Sequence, residues 1–457
     1  MPHQQQLPSE MNHDLPKEHH RHRTGGWMPA DHRLHKAWLQ KQVDHVDQNP
    51  QKLPPVLEEF KTMIESSARF HMYFTAMFDE IPAKRIYRTD PTNNKQIRDY
   101  QHMLQVLAHI LRTAPHWTES AQKVGMVGVP MNAIFDYPMS TPSGHAAFLD
   151  PEVNAMVKKV LNEWGKFLLS PESAKVLGKD KHGWFGETAT KDIEIVANKA
   201  GNTDLKFHDM FVCDPTKEYH GFKSWDDFFT RELNVKAGYR PVAAPDDDSI
   251  VVNACESKPF STQRDCQLRD RFWIKGQPYS VSDMLAHDDL AQQFDGATVY
   301  QAFLSALSYH RWHAPVSGTI RKAFRVDGTY FSEPLWEGLG DPHTTEINQA
   351  GISSAQGYIS ALAARAIIFI EADNPDIGLM AFVGIGMDEV STCDVTVKEG
   401  QRVRKGDQTG MFHFGGSSHT LLFRKGVDIG GFPEPGRDHN VPVRSALAVV
   451  KSSKAGS

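Results

Sequence analysis

The strongest constraint on the fold is a change of period part-way along the chain. Up to about residue 215, apolar residues recur at helical spacing. In "QIRDYQHMLQVLAHIL" (96–111), Ile97, Tyr100, Leu104, Leu107 and Leu111 form one stripe. "VLEEFKTMIESSARFHMYFTAMF" (56–78) has the same spacing. "DPEVNAMVKKVLNEWGKFLL" (150–169) opens with an Asp cap and Pro at the first helical position, and "SPESAKVL" (170–177) repeats that start signal. "YHGFKSWDDFFTREL" (219–233) is an aromatic-rich helical segment. From "RPVAAPDDDSIVVNACES" (240–257) onward the apolar runs shorten and Gly, Pro and Asp punctuate them: "TVYQAFLS", "IIFIEA", "LMAFVGIG", "CDVTV", "LAVV". This order predicts an α+β protein, with a helical N-terminal region (51–215) followed by a β-rich domain (216–457). At 457 residues the chain has room for two or three domains, and a hydrophobic fraction of 40% supplies a core.

Charge and composition exclude several functions. A net charge of -6 leaves no electrostatic footprint for nucleic acid. No run of about 18 apolar residues predicts a transmembrane helix. The first residues, "MPHQQQLPSEMNHDLPKEHHRHR", lack the apolar core of a secretory signal and carry acids that a transit peptide avoids. Residues 1–50 therefore read as a disordered tail on a cytoplasmic protein. Cys213, Cys255, Cys266 and Cys393 form no CxxC pair and read as reduced thiols. His19, His20 and His22, and the run Asp246-Asp247-Asp248, read as solvated side chains, so no metal site is expected.

Three short stretches stand out within the β-rich half. "GMFHFGGSSHTLLF" (410–423) reads as a strand broken at its centre by Gly-Gly-Ser-Ser. Gly inside a strand costs roughly 0.5–1 kcal/mol relative to Ala and marks a bulge or a close approach to the backbone. A nucleophile elbow needs G-x-S-x-G ahead of a helix, which the following "HTLLF" is not. "SYHRWHAP" places His310 and His313 three apart, with no further ligands nearby to hold a metal. "VVNACES" puts Glu256 after an apolar strand, where a carboxylate is either solvated or fixes a histidine. "HAPVSGTI" (313–320) and "VKEGQRVRKGDQTG" (397–410) together resemble the flattened barrel of lipoyl and biotinyl carriers, without the carrier lysine hairpin.

"FFTREL", "RPVAAPDD", "VVNACES", "IKGQPYSVSDML", "YHRWHAPVSGTI" and "GMFHFGGSS" stand in the order seen in the phosphatidylserine decarboxylases, which make their own pyruvoyl cofactor. The resemblance covers about 215–450. "GWMPADH", "YHGFKSWDDFF", "ACES", "SYHRWHAPV" and "IFIEADN" extend it into the N-terminal region and are similar to a soluble fungal branch that includes a tryptophan decarboxylase. The resemblance implies that the chain cuts itself between Gly416 and Ser417 into residues 1–416 and 417–457, which stay associated. The Ser417 hydroxyl would attack the Gly416 carbonyl, and elimination and hydrolysis would leave an N-terminal pyruvoyl group. His313 matches the base of an Asp-His-Ser arrangement. Glu256 stands where the family has Asp. His310 matches the position that returns a proton to the substrate. The phospholipid enzymes carry Asn-Glu-Arg where this chain has Ala363-Ala364-Arg365, and Thr is usual where it has Ser418. Both departures favour a free amino acid, with an aromatic one such as tryptophan, phenylalanine or tyrosine as the leading expectation. The alternatives are phosphatidylserine and a non-catalytic binding barrel. The segment 328–344 has the aromatics and glycines of a loop over a small substrate.

Overall fold

The computed structural model describes residues 32–81, 96–118, 129–269, 279–332, 356–387, 389, 392–413 and 417–452. Helices dominate the first half: α1 (His32–Gln48), α2 (Pro55–Ser66), α3 (Ala68–Ala76), α4 (Tyr100–Ile110), α5 (Pro130–Met139), α6 (Pro142–Leu149), α7 (Pro151–Leu168) and α8 (Glu187–Gly201). Helix α7 starts as its sequence predicts, with the Asp150 carboxylate accepting from the Glu152 amide. It buries Val153, Met156, Val157, Val160, Leu161, Trp164 and Leu168 along one face.

Several boundaries differ from the sequence reading. Helix α1 lies inside the stretch expected to be a tail and buries Leu39, Val43 and Val46 in the core. Residues 56–78 are not one helix. Ser67 breaks them with extended backbone, and its hydroxyl caps α3 by accepting from the Phe70 amide. Residues 171–177 wind as a 3-10 helix. Of the segment 219–233, only α9 (Trp225–Phe229) is α-helical, because Tyr219 and His220 take left-handed backbone angles just before it. The histidine-rich tail and the expected substrate loop from 333 onward lie outside the described residues.

The β-rich half contains β1 (Ile250–Val252), β2 (Lys258–Cys266), β3 (Ala297–Leu304), β4 (Arg311–His313), β5 (Gly318–Val326), β6 (Arg365–Ala372), β7 (Leu379–Gly386), β8 (Thr392–Val395), β9 (Arg402–Val403), β10 (Gln408–His413), β11 (Ser417–Phe423), β12 (Ile429–Gly430) and β13 (Ala446–Val450), plus the short helix α10 (Gln356–Leu362). They form one seven-stranded antiparallel sheet, ordered β2-β3-β11-β7-β6-β5-β9, and two three-stranded sheets, β4-β10-β8 and β1-β13-β12. The expected pairing of 313–320 with 397–410 is present, as β4 with β10 and β5 with β9. The described strands do not close into a barrel.

The large sheet is buried on both faces, which explains its unbroken apolar runs. Val299, Phe303, Val383, Ile385 and Leu422 join the core made by the helices. Their neighbours in sequence, Tyr300, Ala302, Phe382 and Leu421, turn to a second core with Trp312 and Phe412. The alternation is the period of two that a pleated strand imposes.

The sequence read "GMFHFGGSSHTLLF" as one interrupted strand, but it forms two strands in different sheets. β10 ends at His413 in a small sheet, and β11 begins at Ser417 in the centre of the large one. Phe414, Gly415 and Gly416 lie outside the described residues. Gly410, earlier in β10, is needed for space, since a Cβ there would lie 2.4 Å from both the Asp394 carbonyl and the Trp312 ring. Gly410→Ala should therefore destabilise the protein by about 1–3 kcal/mol through overpacking. A denaturant melt compared with wild type measures this.

Candidate active site

Ser417 is fully buried as the first residue of β11, opposite Leu304 of β3 and Gly386 of β7. By register its side chain shares a face with Leu304, toward the second core and the layer carrying β4 and β10. Its hydroxyl makes no hydrogen bond to any described residue. A buried hydroxyl without a partner costs about 1–3 kcal/mol, so its retention here calls for a use. The next residue, Ser418, points to the other face, where its hydroxyl accepts a 3.2 Å bond from the Gln301 amide. Gln301 also donates to Gln356 at the start of α10 and accepts from the Tyr279 hydroxyl.

His313 ends β4 and is held from both sides of its ring. Nδ1 donates to the Gly406 carbonyl at 2.7 Å, and Nε2 accepts from the Tyr309 hydroxyl at 2.9 Å. Burial lowers the His313 pKa to about 4, although the Gly406 carbonyl opposes the shift. Burial also pushes the Tyr309 phenol well above its ordinary value, which keeps it a donor. The ring is therefore neutral, with its proton on Nδ1.

The structure does not bring Glu256 to His313. The Glu256 carboxylate takes a two-point bond from Arg240, at 2.5 Å from Nη2 and 3.0 Å from Nε, and accepts from the Val443 amide at 2.8 Å. Both side chains are only 5% exposed. A backbone link toward the histidine runs through the residue two positions earlier, where the His313 amide donates to the Ala254 carbonyl. Removing one member of a buried ion pair leaves the other charge uncompensated. Glu256→Ala should accordingly cost about 3–5 kcal/mol of stability. Calorimetric or denaturant unfolding checks this.

His310 is also buried, stacked on Phe229 of α9 with ring centroids 4.1 Å apart. Burial, helped by the charge of Arg231, lowers its pKa to about 3. Arg231 is itself buried, and its guanidinium donates to the Leu307 and Ser308 carbonyls just upstream of the histidine.

Two acidic groups at this site escaped the sequence reading. Asp226 of α9 accepts from His413 Nδ1 at 2.7 Å. In "SWDDFF" Asp226 reads as an ordinary acid in the first turn of a helix, so nothing local announced the pair. Glu389 is fully buried between β7 and β8, and its Oε1 accepts from the Met131 and Asn132 amides at the start of α5. Burial raises its pKa to about 8, against the pull of those amides. Gly386 opposes Ser417 and Thr392 opposes His413, so residues 387–391 and 414–416 connect the same two sheets. This region carries a serine whose hydroxyl bonds to no described residue, buried neutral histidines, and carboxyls held by backbone or imidazole. That set suits proton transfer about a buried hydroxyl.

Comparison with known proteins agrees with this class of site. Two family profiles, both described as phosphatidylserine decarboxylase, match residues 54–193 and 225–446. Decarboxylase iboD of Amanita muscaria is 46% identical over 67% of this chain and 87% of its own length. L-tryptophan decarboxylase of Psilocybe cubensis is 36% identical over 94% of this chain and 95% of its own length. Phosphatidylserine decarboxylase proenzyme 3 of Schizosaccharomyces pombe is 30% identical over 49% of this chain and 21% of its own length. The chain belongs to the phosphatidylserine decarboxylase family, a family of carboxy-lyases. Among the described residues, no helix is long and apolar enough to cross a membrane.

Proposed function

We propose that the chain cuts itself between Gly416 and Ser417 and then decarboxylates an aromatic L-amino acid, with tryptophan, phenylalanine and tyrosine as the candidates. The observation that carries this reading is Ser417 itself, a buried serine that hydrogen-bonds to no described residue, at the point where the chain passes between sheets. The choice of a free amino acid is supported by the match to L-tryptophan decarboxylase along nearly the whole chain. Residues 51–215 serve as the helical region and 216–457 as the catalytic domain.

The surroundings of Ser417 fit a pyruvoyl group built from it. Its side chain occupies a closed position without competing hydrogen bonds. The rest of β11 is paired on both sides along its length, which holds residues 417–457 to residues 1–416 after the cut. Once formed, the pyruvoyl group supplies the electron sink for loss of CO₂. The protein's own part is to hold the site dry and to place protons. Gln301 fixes Ser418 beside the reacting position. His310, neutral and stacked on Phe229, would handle the proton returned to the substrate carbon. His313 holds Gly406 and Tyr309, and Glu256 acts through Arg240 and Val443 to fix the strand that supports it.

Intact mass of the purified chain tests the cut and its position together. A chain that stays whole near 51.4 kDa would refute this reading. Detection of CO₂ from tryptophan, phenylalanine, tyrosine and phosphatidylserine then separates an amino acid decarboxylase from a phospholipid one. His313→Ala should leave a larger uncut fraction, read from the same mass spectrum.

A further inference from the structure

We propose that the cavity between helix α7 and strands β5, β6 and β8 is a binding site for a small carboxylate ligand, separate from the reacting position at Ser417.

The cavity has a volume of about 510 Å³, within the range of pockets that enclose small molecules. Lys158 and Asn162 of α7 line one side, and Arg325 of β5, Tyr330, Arg365 of β6 and Thr392 of β8 line the other. Most of these polar ends are unused. Among the described residues, the Arg325 guanidinium forms no ion pair, and the Asn162 amide, the Tyr330 hydroxyl and the Thr392 hydroxyl form no hydrogen bond. Tyr330 is only 7% exposed, and burial, helped by the charge of Asp327, raises its pKa, so the phenol stays a donor. Free polar groups converging on one volume are what a ligand site needs and a packed core avoids.

Charge decides the guest. Three cations, Lys158, Arg325 and Arg365, and one acid, Asp327, border the cavity. The acid is taken up by Lys158, whose Nζ donates to it at 2.6 Å. Arg365 is buried and donates to the carbonyls of Met284, Ala363 and Asp283, with no carboxylate paired to it among the described residues. Burial lowers its pKa to about 10, so it stays charged at neutral pH. A buried cation held by carbonyls alone leaves a positive potential beside the cavity. Free donors and excess positive charge select an anion, and the exposed Arg325 offers the planar fork that a carboxylate fits. Leu161, Val326 and Ala364 supply apolar wall for the rest of the ligand.

Such a site does not lose CO₂. A carboxylate pinned by cations is stabilised in its ground state, which opposes decarboxylation. The topology also sets the cavity apart. Ala364 borders it, the Ala364 carbonyl accepts from the Gly386 amide, and Gly386 opposes Ser417. Two strand spacings, roughly 10 Å, separate its edge from the reacting residue. A ligand here touches α7 of the helical region and three strands of the β-rich half at once, so its binding steadies the seam between them.

The test is calorimetric titration of the full chain with indole-3-acetate, its neutral amide and inorganic phosphate. None carries an α-amine, so the outcome does not depend on the self-cleavage and decarboxylase reading. Indole-3-acetate should bind and the amide should not. Arg325→Gln, at an exposed position, should weaken binding about 10–100-fold, the loss of one charge-assisted bond. Tyr330→Phe should weaken it less. Asp327→Asn frees Lys158 and should tighten binding, a gain that a merely structural acid would not give. Wild-type affinity in Arg325→Gln, equal binding of the amide, or no binding to the wild-type chain would overturn the proposal. Phosphate binding as tightly as indole-3-acetate would overturn the carboxylate class.

Discussion

Ser417→Ala should remain one chain of 51.4 kDa, fold fully, and release no CO₂ from any amino acid. The expected loss is complete, because under the proposed function the residue would be both the nucleophile of the cut and the source of the cofactor. The fold should not suffer. The Ser417 hydroxyl is buried without a partner among the described residues, and replacing such a group by a methyl relieves a desolvation cost of about 1–3 kcal/mol. The uncut variant should therefore melt at or above the temperature of an uncut wild-type chain. Intact mass, a thermal melt and CO₂ release read the three parts separately. A Ser417→Ala chain that still cuts would sink the assignment of the serine.

Acid should destabilise the protein progressively below about pH 6.5, where unfolded histidines take up protons that the buried ones refuse. Burial lowers the pKa of His310 to about 3, of His313 to about 4 and of His419 to about 3. His419 lies two residues along β11 from Ser417, near the rings of Tyr300 and Phe382. Each of the three is neutral in the folded chain and binds a proton near pH 6.5 when unfolded. The unfolded state thus holds more protons below pH 6.5, and stability falls with decreasing pH until the folded pKa values are reached. Three groups titrating together give a slope of about 4 kcal/mol per pH unit, of which Glu389, protonated in the folded chain over the same window, offsets about 1.4. Urea midpoints between pH 7 and pH 4.5 measure it. A flat profile would show that these histidines are reached by water.

Much of the large sheet was legible in the sequence, since strands buried on two faces advertise themselves as continuous apolar runs. β3, β6 and β7 lie close to where those runs placed them. Helix α7 was legible for another reason, its Asp-Pro start. What the sequence hid was change of partner. Strand alternation continues through "MFHF" and resumes at "HTLLF", so a chain that changes sheets looks like one strand with a weak centre. Ser67 was hidden likewise, because helical spacing persists across the break it makes. At the site, Ser417, His310 and His313 came from motifs with fixed spacing. Their partners did not, because Asp226 lies 187 residues from His413 and the Met131 amide 258 residues from Glu389. Glu256 was visible as an acid after a strand, but Arg240, which holds it, takes left-handed backbone angles that no local pattern announced.

The placement of β11 between β3 and β7 also bears on what happens after maturation. Folding of the intact chain is unimolecular, and the connection through residues 414–416 delivers the middle strand to its slot. Once that connection is cut, the middle strand belongs to a separate small polypeptide. Unfolding then releases two molecules that must find each other before the sheet can close, at a rate that falls with dilution. Self-cleavage would thus work as a ratchet on the folding reaction. The precursor should refold from urea at any concentration, whereas the mature protein, once opened, should behave as a kinetically trapped assembly.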